Sequence, residues 1–168
     1  MLNSIDTAAV IRDGGATGRF PGQIHEGVTW WLGACLVVTQ QARQLVVAHN
    51  GHPAITEFAH RLCRGATNAR HYGCTVHYMG RQTEETFHAG LGELPDTPGA
   101  WLSGTDHGDA TEVRVRLYAR QGAVLDDAGG LAQIRALIDA DRVPIPVSDS
   151  AKGSIELWHH PLTQGDRP

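Results

Sequence analysis

Lysine is almost missing from this 168-residue chain: of its 14 basic residues, all but Lys152 are arginine. A Schiff-base mechanism therefore has a single candidate, in a late Ser/Gly-rich stretch. Cysteine is scarce and odd in number: Cys35, Cys63 and Cys74, with no Cys-x-x-Cys pair. That argues against a disulfide framework or a paired-cysteine zinc site. Cys35 and Cys63 fall on apolar helical faces and read as buried free thiols, as expected of a cytoplasmic protein. There is no basic excess. The net charge is −4, which argues against a nucleic-acid partner bound through a basic surface. The longest apolar run, "VTWWLGACLVV", falls short of the roughly 20 residues that span a bilayer, so no membrane partner is expected. Asp6, Arg12 and Asp13 interrupt the N-terminus too early for a secretory leader.

What is there is ordinary in bulk, with 41% hydrophobic and 19% charged residues, the balance of one globular domain. Histidine is the exception, with 10 in the chain, several of them in expected turns. Along the chain, residues 7–15 read as a short strand ending in a glycine turn. Residues 21–43 read as a helix, with Ile24, Val28, Trp31, Leu32, Cys35 and Leu36 on one face. "QLVVAH" is a buried strand and "NGH" a turn. A helix opens near Pro53, with Ile55, Phe58, Ala59, Leu62, Cys63 and Ala66 forming its core stripe. "GCTVHYMG" is a strand, "QTEETFHAGLG" a short helix and "GAWLSG" a strand. The alternating "EVRVRLYA" is another strand and "AGGLAQIRALIDA" a helix.

This order predicts an α/β protein: a single three-layer α/β/α domain over residues 1–142, with a mostly parallel sheet. The turn before "EVRVRLYA" is too short for a parallel crossover, so that strand is expected antiparallel, at the sheet edge. Residues 143–168 read as a linker, a candidate last strand in "IELWHH" and a loose tail. Ligands of open parallel sheets bind outside the carboxyl ends of the strands. Those ends should carry Arg12-Asp13, His49-Asn50-Gly51-His52, Met79-Gly80-Arg81 and the turn Thr105-Asp106-His107.

The pattern resembles the first domain of the phosphohexomutases, the phosphoglucomutase/phosphomannomutase family. "VIRDGG" stands where that family has an Asp-Ile-Arg-Gly motif, and "VVAHNGH" where it has Val-Val-Gly-x-Asp-x-Arg. "GAWLSGTDHG" aligns without a gap to its phosphoserine loop, Gly-x-x-Ile-Thr-Ala-Ser-His-Asn-Pro. The resemblance covers roughly residues 7–140. It places Thr105 where the family has its catalytic serine, and Asp106, His107 and Gly108 where it has His, Asn and Pro. Asn50 and His52 replace the strand-end Asp-x-Arg. No counterpart is expected within these 168 residues for the family's three later domains, which supply its metal loop, sugar loop and phosphate clamp. Phosphoryl transfer is mostly positioning and charge stabilisation, so autonomous hexose-phosphate mutase activity is not expected.

The replacements are themselves reactive. His49, His52, Asp106 and His107 are types used for proton transfer near neutral pH. They are taken, with Thr105, as catalytic candidates, and Arg12, Asn50, Arg81 and Asp109 as substrate-binding candidates. The expected activity is acid/base catalysis (isomerisation, cyclisation or elimination) on a small anionic metabolite. The plain alternative is that these are solvated polar turns. No cofactor is expected; magnesium enters only if Thr105 is phosphorylated, which Asp106 and Asp109 would oppose. A metal held by His49, His52 and Asp106 or His107 lacks any diagnostic spacing. His60 reads as structural and the pair His159-His160 as solvated, while His71, His77 and His88 have no partner that can be named. The surface that packs on later domains in the family must here be polar, self-associated or covered, so a homodimer or partner protein is expected. Two other readings stand beside the enzyme: a non-catalytic binding or regulatory domain, and a mutase fragment needing a partner chain.

Overall fold

The computed structural model describes residues 5–69 and 73–161; His71 and the tail 162–168 lie outside them. In chain order the elements are α1 (Thr7–Val10), β1 (Gly15–Phe20), α2 (Glu26–Thr39), β2 (Gln44–His49), α3 (Ile55–Asn68) and β3 (Thr75–Arg81). Then come α4 (Glu84–Glu93), β4 (Gly99–His107), β5 (Ala110–Tyr118), α5 (Ala132–Asp139) and β6 (Ser154–Leu157). The six strands make one mixed sheet in the order β1-β5-β4-β2-β3-β6. The pairings β4–β2, β2–β3 and β3–β6 are parallel, whereas β5 is antiparallel to both β1 and β4. No helix among the described residues is long and apolar enough to cross a membrane.

Helices cover both faces. On one, α2, α3 and α5 bury Leu32, Leu36, Phe58, Leu62 and Ile134 against Leu45, Val47, Leu102, Val113 and Leu117 of the sheet. On the other, α4 places Phe87 and Leu91 over Val46, Ala48, Met79, Trp101 and Tyr118. Thr83 caps α4 by accepting from the Thr86 N–H, and Glu84 and Glu85 occupy its first turn, where the helix dipole favours them. Cys35, Cys63 and Cys74 are all buried and free; burial pushes each thiol up to about 12.

Several expectations change. Residues 7–15 do not form a strand. Asp6 accepts from the Ala9 N–H and caps the short α1, and the chain then turns through Asp13 and Gly14 at positive φ. The first strand is instead "GATGRF", which shows no apolar alternation and forms because β5 offers it a free edge. A Cβ on Gly15 would lie 2.0 Å from the Val115 carbonyl oxygen, so only glycine fits there. The strand β5 is therefore interior and not at the edge, with β1 outside it. The polar run Thr105-Asp106-His107 is not a turn. It continues β4, and the turn is Gly108-Asp109, with Gly108 at φ 64°. The helix expected from residue 21 starts at Glu26. The candidate last strand is present as β6, parallel to β3.

The pair α2–α3 packs backbone to backbone. A Cβ on Gly33 would fall 2.2 Å from the Leu62 carbonyl oxygen, and one on Gly65 2.0 Å from that of Trp30. Gly33→Ala and Gly65→Ala should each push the helices apart and destabilise the fold by about 1–3 kcal/mol, the usual cost of overpacking. Urea denaturation of the two variants checks this; unchanged midpoints would contradict the close approach.

Candidate functional site

The turn after β2 is built around Asn50. Its backbone N–H donates to the Leu102 carbonyl at 3.0 Å. Its side-chain Nδ2 donates to the Gly104 carbonyl (3.0 Å), and its Oδ1 accepts from the N–H groups of Gly104 (3.3 Å) and His52 (3.1 Å). The amide thus acts as one more rung between β2 and β4. Gly104 must lack a Cβ, since one would meet His52 and Ile55 at 2.8 Å. Asn50 is a clamp, with its amide spent inside the fold.

The two histidines beside it are also engaged. His49 is buried. Its Nδ1 accepts from the Gly51 N–H (3.0 Å), so its proton sits on Nε2 and is donated to the Tyr78 hydroxyl at 2.9 Å. Burial first, then the charges of His60 and Arg81, holds its pKa below the ordinary value. His52 accepts the Ala54 N–H on Nδ1 (3.1 Å) and donates from Nε2 to Asp106 Oδ1 (2.8 Å). Asp106 also accepts from Thr111 Oγ1 at 3.3 Å. The His52 hydrogen bond is the main cause that holds the exposed Asp106 carboxyl below its usual range.

Strand geometry separates Asp106 from its neighbours, because successive side chains point to opposite faces. Asp106 shares the α3 face with Gly104. Thr105 and His107 lie on the face that α4 covers only in part. There the pairing registers align Thr105 with Glu112 and Glu112 with Arg19. His107 Nε2 lies 3.7 Å from Glu112 Oε2, and the Arg114 guanidinium donates to Glu112 Oε1 at 3.2 Å. This row opens onto a cleft of about 720 Å³ at the carboxyl end of β1, bounded by α1 and the 20–25 segment. Asp6, Arg12, Arg19, His25, His107 and Glu112 supply its charged and titratable groups. Arg12 is partly tied: its Nε donates to the Ala9 carbonyl (2.8 Å) and its guanidinium pairs with Asp13. Among the described residues the Arg19 guanidinium makes no ion pair. His25 packs edge-on against Trp31, and its Nε2 is buried without a partner.

The expected rim residues thus fall in three places. Arg12 and His107 line the cleft. His52, Asp106 and Thr111 form a separate cluster across β4. His49, Asn50 and Arg81 belong to the β2 turn, where the Arg81 side chain lies over Gly51, at φ 82°. Thr105 is exposed in mid-strand, and Asp109 is exposed in the hairpin turn. Sequence reasoning missed Arg19, His25 and Glu112. The alternation of Glu112, Arg114 and Arg116 on one face of β5 was a usable signal for Glu112; nothing local marked Arg19 as a strand end. Of the other histidines, His60 rests on the Tyr78 ring, His77 bonds Gln44 at 2.8 Å, and His88 lies near Tyr118 and Glu84. His160 is not solvated as expected: it is buried and meets Glu93 at 2.8 Å. His159 is exposed.

Among the described residues no three His, Cys, Asp or Glu side chains are grouped to hold a metal ion. The two carboxylates nearest Thr105 in the chain and the ladder, Asp106 and Glu112, face opposite sides of the sheet and are already engaged. They do not fit a metal beside Thr105.

No family model matches the chain, and no curated protein does. A solved structure does: a phosphoglucomutase/phosphomannomutase family protein from Burkholderia thailandensis, at TM-score 0.70 and 15% identity, covering 92% of this chain. The chain spans about a third of that structure's length, 34%. The likeness fixes the fold, which is the α/β fold of one part of that protein.

The hydrogen bonds assign both ring protons. Long-range ¹H–¹⁵N spectra should show His49 and His52 as Nε2–H tautomers at neutral pH. His49 should stay neutral below the ordinary 6.5. Since its folded pKa is depressed, the stability it contributes is present above 6.5 and is lost as pH falls through the lowered value. A charged His49 at pH 6.5 would contradict the buried bond to Tyr78.

Proposed function

We propose that this phosphomutase-like domain carries out acid/base chemistry on a small anionic metabolite held in the 720 Å³ cleft. The observation that carries the reading is the row Arg19–Glu112–His107 at the cleft mouth: a cation, a carboxylate and an imidazole on one sheet face. His107 is exposed and its Nε2 lies beyond hydrogen-bond reach of Glu112, so its ring is open to a substrate and is the proposed proton carrier. Glu112 lies beside that ring, its Oε2 3.7 Å from Nε2. Arg19 holds the anionic group. His52 and Asp106 act from the opposite face, holding the end of β4 in place.

A phosphoryl-carrier role for Thr105 fits poorly. Directly paired residues bring their Cβ atoms to about 4.5–5.5 Å, so a phosphate on Thr105 would face the Glu112 carboxylate. No step is therefore routed through a phosphothreonine or a magnesium ion. A second reading rests on length: a chain matching a third of its structural relative could work beside a separate chain that completes it.

Acid/base chemistry at carbon exchanges a C–H proton with solvent. The purified chain, incubated in D₂O with a panel of small carboxylates and phosphates, should place deuterium in one of them, read by NMR. His107→Gln should cut that rate by about 10²–10⁴-fold, and Arg19→Ala should raise the half-saturating concentration at least about tenfold. Exchange unchanged in His107→Gln would remove the proposed proton carrier. A phosphate mapped to Thr105 in protein from the native host would return the chain to phosphoryl transfer.

A further inference from the structure

We infer that the ligand of this cleft is an amphipathic monocarboxylic acid, with its carboxylate on Arg19 and an apolar body along Ile5, Val10, Phe20, Pro21 and Ile24. The inference rests on the cleft being the functional site and names the class of molecule it takes.

The walls make the case. Those five apolar side chains line the cleft. Besides the charged groups, the polar side chains that line it are Thr17, Gln23 and the imidazoles of His25 and His107; Gln23 Oε1 is already taken by the Arg19 N–H at 2.9 Å, and His25 packs edge-on against Trp31. A sugar would bring several hydroxyls into a wall that could satisfy few of them, and each buried hydroxyl without a partner costs affinity. An alkyl or aromatic body has no such need and gains by leaving water. The volume, about 720 Å³, is within the 300–1,000 Å³ or so of small-molecule sites.

The charges select the head group. Asp6 accepts the Ala9 N–H, Glu112 is bonded by Arg114, and Arg12 is tied to Asp13 and the Ala9 carbonyl. What remains is Arg19, whose planar fork matches one carboxylate. A phosphate dianion would bring a second negative charge between Asp6 and Glu112 with no second unpaired arginine to meet it.

The test is an NMR titration of the ¹⁵N-labelled full chain with sodium octanoate and, separately, with glucose 6-phosphate. Octanoate should shift the amides of residues 17–25 and Glu112 saturably, and glucose 6-phosphate should not. Arg19→Ala should weaken octanoate at least tenfold, and so should Ile5→Gln. Should Ile5→Gln fail to fold, the wild-type chain still decides the apolar end through a series from butanoate to octanoate. Affinity should rise about fourfold per methylene, the equivalent of about 0.8 kcal/mol each. A flat series overturns the amphipathic class. Glucose 6-phosphate binding at these amides, with octanoate silent, overturns the class and keeps the cleft as an anion site. Shifts confined to other surfaces, or none from either probe, overturn both the class and the cleft as the site.

Discussion

The side chain of Asn50 is the tie on which the site depends. By bonding both the N–H and the carbonyl of Gly104, it fastens the turn after β2 to the middle of β4. That fixes where α3 begins, and the start of α3 fixes His52. From there the imidazole reaches Asp106 at 2.8 Å, two residues beyond the clamp. Gly104 is what permits the approach, because any Cβ would collide with His52 and Ile55. Gly104 is buried, so removing the amide would leave its backbone N–H and carbonyl without this partner, which is expensive. The two-faced end of β4 inherits its position from the clamp.

That end of β4 then divides the chemistry. Alternation along the strand sends Asp106 toward α3 and Thr105 and His107 toward the half-covered face. On the α3 side the result is a closed dyad in which both nitrogens of His52 are spent, suited to holding a hairpin. On the other side the result is an open row in which His107, Glu112 and Arg19 meet water and the cleft. One polar run thus supplies both a brace and a candidate reacting group. The antiparallel part of the sheet allows this because it can face solvent on one side, whereas the parallel strand β2 is buried on both.

Much of the fold was legible in the chain. Apolar spacing marked α2, α3 and α5, the continuous run in "QLVVAH" marked β2, and the short connection before β5 marked it as antiparallel. The same reasoning found the residues at the ends of β2 and β4. It failed at β1, where Gly15 and Gly18 leave no pattern to read, and that failure hid Arg19. At the candidate site the limit was different. His49, His52 and Asn50 look alike as turn residues in sequence, yet hydrogen bonds to Tyr78, Ala54, Asp106 and Gly104 commit all three to the fold.

The sequence by itself determined the class of architecture, the helical faces, the burial of the Cys35 and Cys63 thiols and the net negative charge. Each follows from local periodicity or composition. Tertiary structure alone decided which polar groups meet. Glu112 stands opposite both Thr105 and Arg19 because of strand register, and Arg12 shares a cleft with His107 because α1 folds back beside β1. Thr105 and Glu112 face each other across one hairpin, but Arg19 and Glu112, like Arg12 and His107, are joined by register and docking from distant parts of the chain, and no window contains both partners.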